Sequence, residues 1–149
     1  MKIAIAADHG GFELKKSILE FLAQSEFEVK DFGAYNLDST DDYPDFIIPL
    51  AEALAKGEIE KGIAVCGSGV GAAIAANKVS GVRAALINDC FSAHQGVEDD
   101  DMNLICLGGR VTGYAAAHEY ISAFLNAKFT GLERHLRRIQ KVKSLENRN

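Results

Sequence analysis

The stretch Cys66-Gly67-Ser68-Gly69-Val70-Gly71 combines a thiol with a glycine-rich turn. It follows the apolar run at residues 62–65 and leads into an alanine-rich segment, 72–78, that is typical of a helix. The first N–H groups of a helix lack partners within it, and the helix dipole favours negative charge there. A cysteine at such a turn is favoured as the thiolate, which can act as a nucleophile or a base. The alternative is that Cys66 is a small buried apolar side chain, as most unpaired cysteines are.

The same glycines also resemble a dinucleotide-binding fingerprint, with Asp89 at a suitable distance for a ribose contact. The match is imperfect, because Gly71 comes one residue early and the turn follows the third predicted strand rather than the first. A turn whose N–H groups hold an enolate or another oxyanion also gives the neighbouring cysteine a role. We therefore favour the oxyanion turn.

Two further groups of residues could contact an anionic substrate. Asp8 and His9 follow the first predicted strand, where a carboxylate can hold hydroxyl groups and an imidazole can bind a phosphate or move a proton. Arg134 and Arg138 are four residues apart and share one face of a predicted helix, an arrangement that suits a phosphate dianion. The structural alternatives are a capping aspartate beside a surface histidine, and a solvated basic face.

The cysteines and acidic residues do not predict a metal site. Three cysteines without a CxxC pair argue against a disulfide framework and a structural zinc site, and Cys90 and Cys106 are interpreted as structural. The acidic run at residues 98–101, near His94, is predicted to be a solvated loop. Four consecutive side chains on a helix could not all face one ion. We therefore predict no metal.

The composition fits one globular domain spanning residues 1–149, of which 48% are hydrophobic. The formal net charge of -5 argues against nucleic acid and membrane surfaces as partners, so a local positive cluster must hold any anionic ligand. No segment is apolar for long enough to cross a bilayer, and the first apolar run is too short for a signal peptide. Unpaired cysteines favour a reducing compartment, so we expect a cytoplasmic protein.

The spacing of apolar residues predicts alternating strands and helices. Strands are expected at residues 3–7, 27–32, 62–65, 82–87 and 104–107. Helices are expected at about 12–22, 44–57, 72–78, 89–96, 112–128 and 132–147. This pattern predicts an α/β fold, a Rossmann-like three-layer αβα sandwich with a five-stranded parallel sheet and a basic C-terminal helix. Ligands of such sheets bind beyond the carboxyl ends of the strands, where Asp8, His9, residues 66–71, Asp89 and residues 108–110 should converge.

Six short motifs occur together along the chain. They are D-H-G-G-F at 8–12, D-Y-P at 42–44, C-G-S-G-V-G at 66–71, I-A-A-N-K at 74–78, G-R at 109–110 and R-H-x-x-R at 134–138. In this combination they resemble the type B ribose-5-phosphate isomerases, of the wider group that includes the galactose-6-phosphate isomerase subunits. The likeness extends over nearly the whole chain.

The resemblance implies an aldose–ketose isomerase of a phosphorylated sugar, most simply D-ribose 5-phosphate, that uses no metal and no other cofactor. Cys66 would be the base that moves a proton between the first two carbons, and Ser68 would assist at the sugar oxygens. The implied substrate contacts are Asp8, His9, Tyr43, Gly67, Ser68, Gly69, Val70, Gly71, Asp100, Asn103, Arg110, Arg134 and Arg138. The family also implies a homodimer or a dimer of dimers, in which the arginines of one chain serve the cysteine of the other.

One departure from the family bears on the substrate. Type B enzymes typically carry a His-Asn pair before the fifth strand, with the histidine opening the sugar ring, and Asp99 and Asp100 stand there in this chain. Either Asp99 or His94 takes over ring opening, or the substrate needs none. Tetrulose 4-phosphate, galactose 6-phosphate and allose 6-phosphate are therefore alternative substrates. Outside the enzymes, the alternative is a non-catalytic module that binds a nucleotide or a phosphorylated metabolite.

Overall fold

The computed structural model describes residues 1–146, which alternate between strands and helices. The strands are β1 (Lys2–Ala7), β2 (Glu28–Asp31), β3 (Lys61–Cys66), β4 (Ala84–Leu86) and β5 (Leu104–Gly108). The helices are α1 (Phe12–Leu22), α2 (Pro44–Ala55), α3 (Val70–Ala76), α4 (Cys90–Asp100), α5 (Tyr114–Asn126) and α6 (Glu133–Lys143). A short 3-10 turn, His9–Gly11, precedes α1.

The five strands form one parallel sheet in the order β2-β1-β3-β5-β4. The three central strands are in register, with Ile5 opposite Ile63 and Ile63 opposite Ile105. Their side chains are buried on both faces, which explains why each central strand is a continuous apolar run rather than an alternating one. The predicted α/β fold is confirmed.

Helices cover the two faces of the sheet with separate apolar clusters. Ile5 and Ile63 pack on one face with α1 and α5, whose Phe124 is fully buried. Ala64 and Cys66 lie on the other face, in a cluster that includes residues of α2 and α3. The packed side chains of this cluster therefore fix the position of Cys66, which is the last residue of β3 at the carboxyl edge of the sheet.

The predicted solvated loop at residues 98–101 is wrong. Helix α4 continues past Gly96 to Asp100 and ends where Asp101 adopts a left-handed conformation, with φ at 52°. Acidic side chains at a helix C-terminus are unfavourable for the dipole. Here polar or charged partners compensate two of them, since Asp99 accepts a 2.8 Å hydrogen bond from the side-chain amide of Gln95 and Asp101 forms a 2.7 Å ion pair with Arg83.

The last helix is shorter than the prediction of about 132–147. Helix α6 ends at Lys143, and residue 147 lies outside the described part of the chain. Within residues 1–146, none of the helices has the length and apolar character that crossing a bilayer requires.

Candidate active site

The carboxyl ends of β1 and β3 meet at the point where the sheet changes direction. The chain passes from β1 to β2 on one side and then returns to place β3 on the other side of β1. Connections at such a switch point leave in opposite directions, which opens a crevice beyond the strand ends. Asp8 and His9 follow β1, and the glycine-rich turn follows β3, so both enter this crevice.

A cavity of about 330 Å³ occupies the crevice. Its lining residues are Asp8, Tyr43, Cys66, Gly67, Ser68, Gly71, Arg110 and Val111. This volume lies within the usual range of small-molecule sites, about 300–1,000 Å³. All but Val111 were predicted from the sequence to act on or contact substrate, and the structure brings them together. His9, Gly69 and Val70 were predicted as well, but they are not among the lining residues.

Cys66 lies at the inner wall of this cavity and is only 4% exposed. The backbone N–H of Gly69 donates a hydrogen bond to its Sγ over 3.2 Å. A backbone donor of this kind supports negative charge on the sulfur. The thiol therefore combines access to the cavity with a partner for its ionised form.

The turn after Cys66 has little room for side chains. Gly69 has φ at 82°, a left-handed conformation, and a Cβ there would lie 2.5 Å from Leu86. A Cβ at Gly71 would lie 2.8 Å from the ring of Tyr43. In the same turn, the Ser68 hydroxyl accepts a hydrogen bond from the N–H of Val70 over 3.3 Å. The glycines thus allow the backbone and the Tyr43 ring to form one cavity wall.

The end of β5 is tied to the same turn. The N–H of Gly109 donates to the carbonyl of Cys66 over 2.8 Å, and the N–H of Arg110 donates to that of Gly67 over 3.0 Å. The Arg110 guanidinium lies over Gly67, 3.7 Å from where a Cβ would be. Arg110 therefore contributes a positive charge beside Gly67, in the cavity that Cys66 also lines.

Asp8 and His9 begin the turn that leads from β1 into α1. Asp8 is buried, and its Oδ1 accepts a hydrogen bond from the N–H of Gly11 over 3.2 Å. His9 is half-exposed and forms a 2.7 Å hydrogen bond from Nδ1 to Oδ1 of Asp41. This bond is the largest cause of a raised pKa at His9. The charges of Asp8 and Asp41 add to the rise, whereas burial and Arg110 oppose it.

Asp8, His9 and Asp41 place ligand-type atoms within 4.8 Å of one another, a spacing that a metal ion could use. However, the carboxylate of Asp41 can only accept a hydrogen bond, so Nδ1 of His9 carries a proton and has no free lone pair. We therefore interpret the three residues as a hydrogen-bonded group, and the expectation of no metal stays a prediction.

The remaining predicted site residues lie apart from the cavity. Within the described part of the chain, Arg134 and Arg138 are not among its lining residues, and α6 packs mainly against α4. Arg134 Nε donates to Nε2 of His135 over 3.0 Å, and the buried His135 lies 3.3 Å from Asp99. These residues form a second group on α4 and α6, which also contains His94, hydrogen-bonded to Glu98 over 3.0 Å.

Asn103 and Asp100 lie towards the other end of the sheet, before β5 begins. The side-chain amide of Asn103 donates to the carbonyl of Gly81 over 3.0 Å and accepts from the N–H of Arg83 over 2.8 Å. These bonds connect the segment before β4 to the segment before β5, so the side chain of Asn103 stabilises the sheet. Asp100 is exposed and borders a different cavity of about 470 Å³ between β4, α4 and α6.

Of the other two cysteines, Cys106 fits the interpretation as a buried structural side chain, whereas Cys90 is only partly buried. Cys106 is fully buried within β5, and desolvation raises the pKa of its thiol, with a further contribution from Cys66. Cys90 begins α4, and its Sγ lies 4.0 Å from a carboxylate oxygen of Glu119. All three cysteines are unpaired.

One residue of the site was missed by sequence reasoning. Asp41 belongs to a polar stretch before α2 that is typical of a turn, and nothing in that pattern distinguishes it from its acidic neighbours Asp38 and Asp42. Its contact with His9 joins residues 32 positions apart, so only the fold reveals it.

Comparisons with known proteins give matches over nearly the whole chain. The model of the family described as Ribose/Galactose Isomerase matches residues 3–142. Ribose-5-phosphate isomerase B of Escherichia coli is 39% identical over 147 residues, covering 99% of this chain and 97% of the relative. D-erythrulose-4-phosphate isomerase of Pectobacterium atrosepticum is 40% identical over 131 residues, covering 88% of this chain and 86% of the relative.

A solved structure is similar over the whole fold. Ribose-5-phosphate isomerase B of Mycoplasma genitalium, determined with bound ribulose-5-phosphate, superposes with a TM-score of 0.94 at 40% sequence identity. The match covers 99% of this chain and 97% of that chain.

Proposed function

Because this chain belongs to the ribose/galactose isomerase family, we propose that it interconverts D-ribose 5-phosphate and D-ribulose 5-phosphate through a cis-enediolate. The reaction class, aldose–ketose isomerisation of a sugar phosphate, is that of the relatives with these names. The relative named for D-erythrulose 4-phosphate makes a four-carbon substrate the principal alternative.

The hydrogen bond between Gly69 and Cys66 carries the mechanistic part of the proposal. Isomerisation needs a base that removes a carbon-bound proton and returns it one carbon away, and it needs donors for the oxygen that becomes negative. Cys66 faces the cavity with a backbone donor on its sulfur, and the glycine turn lies directly beside it. The Arg110 guanidinium adds positive charge at the same place.

In the aldose-to-ketose direction, the Cys66 thiolate takes the proton from C2, and the electron pair of that C–H bond forms the C1–C2 double bond of the enediolate. The carbonyl oxygen at C1 becomes an oxyanion and is held by N–H groups of the turn. The proton then passes from Cys66 to C1. The C2 hydroxyl gives its proton, through the Ser68 hydroxyl, to the oxyanion at C1, so that C1 carries a hydroxyl and C2 becomes the ketone. No atom is gained or lost, and the Ser68 hydroxyl can exchange protons with the two sugar oxygens.

The position of α6 supports a site shared between two chains. Arg134 and Arg138 are exposed on α6 and lie with α4 rather than at the cavity of their own chain. Exposed apolar side chains adjoin the glycine turn, including Val70 and Ile74, which are 48% and 58% exposed. A surface of this kind is typical of a partner contact. We therefore assign the substrate phosphate to His9 of one chain and the two arginines of a second copy, in a homodimer or a dimer of dimers.

Ring opening is assigned to the second group of residues. Asp99 lies beside the buried His135, which also accepts a hydrogen bond from Arg134. A carboxylate held next to the phosphate-binding arginine would reach the ring oxygen of a sugar bound between two chains. His94 and Asp99 each have a side-chain partner on α4, Glu98 and Gln95 respectively. We favour Asp99 because it lies beside His135, which contacts Arg134.

The three unpaired cysteines, one of them the proposed base, suit a reducing compartment, and we place the protein in the cytoplasm.

Isomerisation in D₂O tests the proposal. Ribose 5-phosphate, D-erythrulose 4-phosphate, galactose 6-phosphate and allose 6-phosphate should be compared by kcat/KM, and deuterium should enter the product at the carbon next to the carbonyl. The highest kcat/KM is expected for ribose 5-phosphate. Turnover of none of them, with thermal stabilisation by NAD or ATP, would replace this function with the non-catalytic binding module.

A further inference from the structure

Asp41 is bound to His9 at two points. Its Oδ1 accepts hydrogen bonds from the backbone N–H of His9 over 2.9 Å and from the ring Nδ1 over 2.7 Å. The Asp41 side chain is only 10% exposed, whereas that of His9 is 30% exposed. The carboxylate thus holds both the main chain and the ring of His9 from the buried side.

This contact fixes the tautomer and the orientation of the imidazole. A carboxylate only accepts hydrogen bonds, so Nδ1 of His9 is protonated. The other ring nitrogen, Nε2, lies on the opposite edge of the ring and is therefore turned away from Asp41. When the ring is cationic, Nε2 carries a proton that it can donate to an anion.

A purely structural function does not explain Asp41 well. Its second oxygen, Oδ2, is buried and has no hydrogen-bond partner within residues 1–146. Leaving a buried carboxylate oxygen unpaired reduces stability. An amide or a hydroxyl could accept the same bonds from His9 with a smaller loss, so the negative charge itself is the property to be explained.

The charges around His9 come from three segments. Asp8 lies next to it after β1, Asp38 and Asp41 lie in the loop before α2, and Arg110 follows β5. The hydrogen bond to Asp41 is the largest cause of the raised pKa of His9, and Asp38 interacts with His9 only through its charge, being hydrogen-bonded to Thr40. Asp41 is therefore the partner that keeps the ring protonated to a higher pH.

We propose that Asp41 is a positioning residue that holds His9 with its Nε2–H presented to the anionic phosphate end of the substrate. The assignment of the phosphate to His9 rests on the function proposed above, whereas the effect of Asp41 on the His9 ring does not. The test therefore combines an assay with a measurement that needs no turnover.

Four variants separate the effect of the carboxylate from that of the loop. Asp41→Asn keeps the size and one acceptor but removes the charge. Asp38→Asn removes an equal charge from the same loop without touching the His9 ring and is the matched control. His9→Asn identifies the His9 signal among the four histidines, and the double variant completes a cycle.

The ring resonances of His9 are followed by NMR across pH, with and without inorganic phosphate. In Asp41→Asn, His9 should titrate at lower pH than in the unaltered protein, and phosphate should bind about tenfold more weakly near neutral pH, as expected when a charge-assisted hydrogen bond is lost. Affinity for the phosphate dianion should fall as pH rises through the His9 pKa. That fall should come at lower pH in Asp41→Asn and should shift much less in Asp38→Asn, which loses only a charge at longer range.

In the isomerase assay, Asp41→Asn should raise KM for the sugar phosphate by about tenfold and leave kcat within about twofold. The same change should have no further effect in the His9→Asn background. An unchanged His9 titration, an unchanged phosphate affinity, or additive effects in the double variant would overturn the proposal. If the protein isomerises none of the sugars while Asp41→Asn still weakens phosphate binding at His9, the proposed function fails and this inference stands.

Discussion

The backbone N–H of Gly69 points at the Sγ of Cys66 from 3.2 Å, within the same turn that faces the cavity. A single turn thereby supplies the ionisable group and the donor that stabilises its charge. If Cys66 is the base, its loss should remove turnover and leave the fold intact, because the thiol is a small part of the packed core.

Cys66→Ala should lower kcat by about 10²–10⁴-fold, the usual contribution of a positioned general base. Substrate binding should persist, since the proposed phosphate contacts do not involve the sulfur. The measurements are kcat and the rate of deuterium uptake from D₂O. Cys90→Ala, which removes a thiol from α4, is the control and should keep full activity. Unchanged turnover in Cys66→Ala would remove the proposed mechanism.

Gly69→Ala should destabilise the protein for two reasons. The left-handed conformation costs an alanine about 1–2 kcal/mol, and the new Cβ would also overlap Leu86 and the backbone of Leu107, at about 1–3 kcal/mol. Gly57→Ala separates the two, because Gly57 has φ at 73° with nothing near its missing Cβ. Urea unfolding should show a larger loss for Gly69→Ala. Equal losses would mean that the turn has room for a side chain.

Asp31→Asn should destabilise the fold by about 3 kcal/mol, the scale expected when a buried charge loses its partner. The partner is Lys15 on α1, whose Nζ is almost fully buried and lies 2.8 Å from Asp31 and 2.7 Å from the carbonyl of Ala34. Glu28→Gln breaks an exposed 3.8 Å pair with Lys2 and should change the free energy of unfolding by less than about 1 kcal/mol. Similar losses for both would show that Lys15 is not held as a buried ion.

Mixed dimers test whether Arg138 serves the cavity of a second copy. Cys66→Ala and Arg138→Ala should each be nearly inactive alone. Co-expressed, they should recover about a quarter of the normal activity, because half of the random dimers contain one intact site of two. Co-expression of two copies of the same variant is the control. No recovery, in dimers shown to be mixed, would place the arginine and the cysteine in sites of one chain.

Asp99→Asn tests ring opening. It should lower kcat/KM for ribose 5-phosphate but not for D-erythrulose 4-phosphate, whose phosphorylated O4 cannot close a furanose ring. His94→Ala, from the same helix, should affect neither substrate. Equal activity of Asp99→Asn on both sugars would show that the carboxylate does not open the ring.

The sequence predicted the sheet and one wall of the site because both depend on short-range patterns. The central strands are continuous apolar runs, and parallel strands bring Asp8 and Cys66 to the same edge. Lys15 shows where the pattern is insufficient, since it lies on the buried side of α1 between Leu14 and Ile18 and is neutralised by an aspartate 16 positions away.

The acidic end of α4 was missed for a similar reason. Gly96 suggested a helix end, yet the helix continues to Asp100, where Gln95 donates a hydrogen bond to Asp99 and Arg83 pairs with Asp101. The contact between Asp41 and His9 likewise depends on tertiary structure. The placement of Arg134 and Arg138 away from the cavity of their own chain also required the fold, since spacing shows which face they share but not what that face meets.

Helix α6 is fastened at both ends. Before it, Thr130 donates two hydrogen bonds to the carbonyl of Glu98, and after it, the carboxylate of Glu146 accepts from Ser80 and from the N–H of Gly81. Hydrogen bonds on both sides of the helix therefore fix its position relative to α4 and to the segment before β4. Because both contacts lie outside the cavity, substitution of Thr130 or Glu146 would change how the arginines are held without touching the residues that line it.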